Sequence, residues 1–166
     1  MRTVVKSSEI GHLWAHQTQE RGRAGNISFS GSDFYSYNTV MATIAKSKNN
    51  RRAYLLTNHK YSSSTAHHQS IARSAIPRTA KVFYVPVRST YGYPAVSRDH
   101  KENLSLWERS IAREVQGAQN SREPKRSRIV VEILATIDSA KKYASFFGIK
   151  ETARRVAGPF RSVAEG

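Results

Sequence analysis

The 166-residue chain contains no cysteine. Disulfides, thiolate metal centres and cysteine nucleophiles are therefore excluded, and the composition suits a reducing compartment. Carboxylates are scarce: 12 Asp and Glu stand against 27 Lys and Arg, for a formal net charge of +15. The imbalance is uneven. Residues 1–100 hold four acidic and 14 basic side chains, and residues 101–166 hold eight and 13. In the first 95 residues the only carboxylates are Glu9, Glu20 and Asp33, too few and too scattered for a two-metal hydrolytic site. No apolar run approaches the roughly 18–20 residues of a membrane span. The opening Met1-Arg2-Thr3-Val4-Val5-Lys6 has too short an apolar stretch for a signal peptide. These absences predict a cytoplasmic protein with no membrane partner, no metal and no cofactor.

The chain does have an excess of positive charge. Such an excess costs stability by self-repulsion, which points to a polyanionic partner, DNA or RNA. A generally basic, solubilising surface is the plainer account. At 39% hydrophobic residues the chain has material for a modest core.

Periodicity predicts an α+β core domain over 1–95 and a helical region over 100–166, packed on it or continuous with it. A first helix is expected over 8–17, with Ser8 as N-cap and Ile10, Leu13, Trp14 and Gln17 on one face. Gly22 and Gly25 end that pattern. Strands are expected where Ile27 and Phe29 alternate with Ser28 and Ser30, over Phe34–Tyr37, where Val40, Ala42 and Ile44 alternate, over Ala53–Thr57, and over Lys81–Val85 before Pro86. A helix over 63–75 stops before Pro77. The expectation is a small antiparallel sheet of four to five strands carrying two packed helices, with residues 88–99 as a loop. Beyond it, Leu104, Trp107, Ile111 and Val115 mark a helix ending near Gly117, and a second runs from about Arg128 to Phe147 with Gly148 as its C′ residue. Together they form a C-terminal helical hairpin. A short last helix is expected over Lys150–Ala157.

Three motifs occur in order: Glu9-Ile10-x-His12-Leu13-Trp14-Ala15-His16-Gln17; Ile27-x-Phe29 with Tyr35-Ser36-Tyr37; and Tyr61-Ser62-Ser63-Ser64-Thr65-x-x-His68-Gln69-x-x-x-Arg73. On these, residues 7–85 resemble a group of uncharacterised accessory proteins carried by bacteriophages and related mobile elements. The chain departs from the group after Tyr37, where Asn38-Thr39-Val40-Met41-Ala42 replaces a Gly-x-His-Phe-Pro-like continuation, so a role for a histidine of this loop does not carry over. The resemblance implies an origin, a phage gene acting in a bacterial host cytoplasm, and no activity.

Four sets of residues carry candidate chemistry. Lys60, Ser63, Ser64 and Thr65 stand at a strand-to-helix transition, where free backbone N–H groups and the helix dipole favour a phosphate, with Arg73 on a flank. Ordinary N-capping explains the hydroxyls equally well. Tyr35, Tyr37, Arg51, Arg52 and Tyr54 form an aromatic and basic mixture suited to stacking unpaired bases, if Tyr35 and Tyr37 point to the solvent side of their strand. Lys150, Arg154 and Arg155 lie within a segment, 140–156, that is similar to a helix-turn-helix, where they would read DNA. A helical hairpin with a capped tail is the simpler account of that segment. His12 and His16, four apart with Glu9 nearby, make a polar helix face that lacks the His-Glu-x-x-His pattern.

Three functions follow in rank. The first is a non-enzymatic, weakly sequence-specific nucleic-acid binder. The second is a phage counter-defence protein holding a host defence protein or ribonucleoprotein. The third is a small metal-independent nuclease using His59, Lys60 and Tyr61.

Overall fold

A computed structural model describes residues 3–57, 59, 61–90, 93–149 and 158. The chain divides into two units, Met1–Arg98 and Asp99–Gly166. The first contains α1 (Ser7–His16), β1 (Arg21–Ala24), β2 (Ile27–Ser30), β3 (Asp33–Ser36), β4 (Thr39–Lys46), β5 (Arg52–Thr57), α2 (Ser63–Ala75), β6 (Lys81–Val85), β7 (Arg88–Thr90) and β8 (Tyr93–Ala95). The second contains α3 (His100–Gln119) and α4 (Lys125–Phe147). The fold is α+β, as the alternation of short strands and the two apolar helix faces predict.

Strands β1 to β6 form one sheet in sequence order. Short turns join β1 to β5, and these strands pair antiparallel throughout. The step from β5 to β6 differs. It contains α2, and a connection of that length lets β6 lie parallel to β5. The sheet thus has six strands, one more than the upper expectation of five, and one parallel pair. The added strand is β1. Its sequence, Arg21-Gly22-Arg23-Ala24, has no β-branched residue and a glycine, so its propensity is poor. Pairing with β2 on one side and backbone bonds from Val5 N to Arg23 O and Arg23 N to Thr3 O on the other secure it (3.0 and 2.8 Å). Residues 88–95, expected as loop, contain the β7–β8 hairpin, and Val96 N donates to Val40 O (3.0 Å) on β4.

Helices α1 and α2 cover one face of the sheet. Ile10 and Trp14 of α1 and Ala72 of α2 pack against Ile27, Phe29, Phe34, Ile44, Tyr54 and Leu56. Trp14 is fully buried and its indole N–H donates to Ser32 O (2.8 Å), so the largest side chain of the core leaves no unpaired polar atom. The two helices approach closely at Gly11, where a Cβ would stand 2.8 Å from the carbonyl oxygen of Ile71. The first helix begins one residue earlier than expected. Its N-cap is Lys6, whose backbone N–H donates to the Glu9 carboxylate (3.4 Å), so Glu9 at N3 acts as one half of a capping box.

In the second unit the start of α3 meets the end of α4, as in an antiparallel hairpin. His100 stacks on Phe147 (4.0 Å between centroids), and Trp107 meets Tyr143 edge to face (4.9 Å). Leu104, Ile111 and Val115 oppose a buried row of Ile133, Ile137, Ala140 and Ala144, which is the apolar stripe read from spacing. α4 ends at Phe147, with Gly148 at φ 70° in the left-handed region that glycine occupies without steric cost. Among the described residues no helix is long and apolar enough to cross a membrane.

Candidate nucleic-acid interface

Parallel strands joined through a helix create a crevice beyond their carboxyl ends, beside the helix. Here β5 ends at Thr57 and β6 at Val85, and a cleft of about 510 Å³ opens there in the first unit. Leu56 and Thr57 of β5, Tyr84 of β6, and His59 and Tyr61 of the connection contribute to it. From α2 come Ala66, Gln69, Ser70 and Arg73, a stripe at i, i+3, i+4 and i+7 that is one face of a helix.

Within the connection, His59 is held through both of its backbone groups. His59 N donates to Thr57 Oγ1 (3.0 Å), and the Gln69 amide donates to His59 O (3.1 Å). The His59 and Tyr61 rings meet edge to face at 4.6 Å. Burial pushes the Tyr61 hydroxyl above its ordinary range, and a hydrogen bond from Thr57 partly offsets that. Tyr61 therefore stays a neutral phenol near pH 7. Tyr84 is 43% exposed, and the Arg73 side chain makes no hydrogen bond or ion pair among the described residues. None of the lining residues is Asp or Glu.

At the α2 start the hydroxyls of the expected phosphate-binding group divide between the helix cap and solvent. Ser62 is the N-cap, accepting from Thr65 N (3.5 Å) with Thr65 Oγ1 3.2 Å from its own hydroxyl. Thr65 is consequently buried and committed to the cap, while Ser63 and Ser64 are exposed in the first turn. Arg73 does not flank that turn. Ten residues of helix separate it from Ser63, about 15 Å along the axis, and it belongs to the cleft. Lys60 lies outside the described residues, as do Lys150, Arg154, Arg155 and the expected helix over 150–157.

The expected tyrosine face is also redistributed. Strand β3 ends at Ser36, and Tyr37 takes a left-handed φ of 55° in the following turn. That reversal breaks the alternation. The Tyr37 ring, 53% exposed, comes 5.9 Å from His68 of α2, on the helix-covered side. Tyr35 stays in the strand and points to the other side, where its hydroxyl donates to Asp33 (3.5 Å). Burial, followed by the Asp33 charge, pushes its hydroxyl upward. Tyr54 belongs to the core beneath α1, donating to Ala15 O (2.7 Å). Arg52 opens β5 opposite Lys46, with Arg51 exposed just before it. These five residues do not form one surface.

His68 is packed as its helix face predicts. Its Nδ1 lies 2.6 Å from Ser36 Oγ, and burial, then the neighbouring His67, holds it below the ordinary histidine range. His12 and His16 stack at 4.1 Å on exposed positions of α1. Among the described residues no three His, Asp or Glu side chains are grouped to hold a metal.

Helical spacing alone puts Gln69 and Arg73 together on an open face, and His59 and Tyr61 stand out from the local chemistry of their segment. Tyr84 escapes such a reading, and its one signal is phase: in Lys81-Val82-Phe83-Tyr84-Val85 it shares a side with the half-buried Val82, opposite buried Phe83 and Val85. Comparison with protein-family models, curated proteins and solved structures finds no match.

Proposed function

We propose that this is a non-enzymatic, basic nucleic-acid-binding protein that contacts the phosphate backbone with little sequence specificity. Its resemblance to phage accessory proteins makes a bacterial host cytoplasm its proposed place of action. One observation carries the reading: Arg73, without a partner among the described residues, shares a carboxylate-free cleft with His59, Tyr61 and Tyr84. A guanidinium suits phosphate, and rings beside it suit bases. The net charge of +15 supplies long-range attraction in addition. The cleft offers no carboxylate to hold a metal or act as a base, so a nuclease here would be the metal-independent one of the third reading, resting on His59 and Tyr61 of the lining.

Binding is tested by fluorescence anisotropy with several unrelated oligonucleotides. Affinity is expected to fall steeply from about 50 to 200 mM salt, as phosphate contacts release counterions. Arg73→Ala should lower the salt slope by about one unit. Lys141→Ala, which removes an exposed charge on α4, should lower it less. No binding at low salt, or an affinity flat in salt, overturns the reading.

A further inference from the structure

We infer that the cleft beside α2 holds one unpaired nucleotide of a single strand, its base against Tyr84 and its phosphate on Arg73. This rests on the nucleic-acid-binding reading and assigns it a substrate class. The cleft volume of about 510 Å³ lies in the range of small-molecule sites. It suits one nucleotide, whereas a base held in a duplex stack cannot reach it.

Tyr84 is the first argument. It is 43% exposed, and its side chain has no hydrogen bond or ring contact among the described residues. An open aromatic ring in a polar cleft is a stacking platform for a base. Gln69 is the second. It donates to His59 O through Nε2, which leaves a second N–H and the amide oxygen, the donor and acceptor that a base edge requires. The third is electrostatic: Arg73 is the one charged group among the lining residues that is cationic at all pH values, and no carboxylate opposes a phosphate there. Leu56 and Ala66 supply the apolar part of the lining.

This assignment predicts a preference opposite to that of charge alone. Duplex DNA has the higher charge density, so a purely electrostatic binder holds duplex at least as well as a single strand. The test uses a short labelled strand of mixed sequence, as DNA and as RNA, its duplex, and a free mononucleotide. Wild-type protein should bind the single strand about tenfold or more tightly than the duplex at equal salt. Tyr84→Ala should abolish that preference by weakening single-strand binding far more than duplex binding, while Tyr84→Phe retains it. Arg73→Ala should weaken both. Unaltered thermal unfolding of each variant verifies the fold.

Equal or tighter binding of duplex, or a preference that survives Tyr84→Ala, overturns the single-strand site and leaves the general nucleic-acid reading standing. Saturation by mononucleotide as tight as by the strand overturns it in favour of a free nucleotide. Absence of binding to any strand at low salt overturns both.

Discussion

The Nδ1 atom of His100 lies 2.5 Å from the hydroxyl of Tyr143, joining the first turn of α3 to the last turns of α4. Asn103 Nδ2 donates to the same hydroxyl (2.9 Å). Burial raises the Tyr143 hydroxyl far above its ordinary range, so it stays a neutral phenol, able to donate to His100 Nδ1 when that nitrogen carries no proton. Burial holds His100 below the ordinary histidine range, with Asp99 acting weakly in the other direction.

A pH dependence follows from that shift. Unfolded, His100 takes a proton near pH 6.5. Folded, it does so only at lower pH. Between the two values the unfolded state binds more protons, so stability is full above about pH 6.5 and declines as pH falls toward the folded value. His68, lowered in the same sense, adds to the slope. Thermal unfolding should shift downward between pH 7 and pH 5.5, and His100→Gln should flatten part of that shift. Proton NMR of the His100 ring checks the premise, and a midpoint at or above the ordinary histidine value contradicts it.

Two glycine substitutions should act in opposite directions. Gly11→Ala places a Cβ 2.8 Å from Ile71 O and 3.1 Å from the Ala75 Cβ. α1 and α2 must separate, at a cost of about 1–3 kcal/mol. At Gly117, inside α3, a Cβ would meet nothing within 4 Å. Gly117→Ala should therefore stabilise by up to about 1 kcal/mol through helix propensity. Urea unfolding of the two variants beside wild type measures both, and a stabilised Gly11→Ala would refute the close helix contact.

Asp33 offers a third test. It accepts from the buried hydroxyl of Thr43 (2.5 Å) and pairs with Arg98 (3.2 Å), whose side chain is 59% exposed. Exposed pairs contribute little, whereas an orphaned buried hydroxyl costs about 1–3 kcal/mol. Asp33→Ala should therefore destabilise clearly more than Asp33→Asn, which keeps an acceptor for Thr43. Equal losses in chemical denaturation would assign the stabilisation to the ion pair.

Purified protein should leave DNA and RNA intact in Mg²⁺, Mn²⁺ or Zn²⁺. The carboxylate closest in sequence to a histidine pair, Glu9, caps α1 through Lys6 N, and the cleft has none. Gel assays across the protein peak from size-exclusion chromatography decide this. Cleavage that follows the peak and disappears in Glu9→Ala or His12→Ala would make the protein a nuclease.

Local chemistry by itself determined much of this molecule. The 63–75 helix was readable to the residue, because Pro77 ends what an apolar face begins. The C-terminal hairpin was readable too, since Leu104, Trp107, Ile111 and Val115 repeat at helical spacing and Gly148 terminates α4. Five strands, β2 to β6, were likewise legible from alternation, aromatic and β-branched residues and turn signals. Tertiary structure decided what short-range preference cannot. Strand β1 exists because β2 and residues 3–5 pair with it, against the preference of Gly22. Tyr37 left the side shared with Tyr35 through one positive φ, which no side-chain pattern records. The candidate site shows the same division. Gln69 and Arg73 were legible as neighbours on one helix, four residues apart. Their meeting with Tyr84 required β6 to return parallel beside β5 and bring Tyr84 opposite Leu56. That contact links residues far apart in the chain, and it arises from sheet pairing and the packing of α2, neither of which any local stretch encodes.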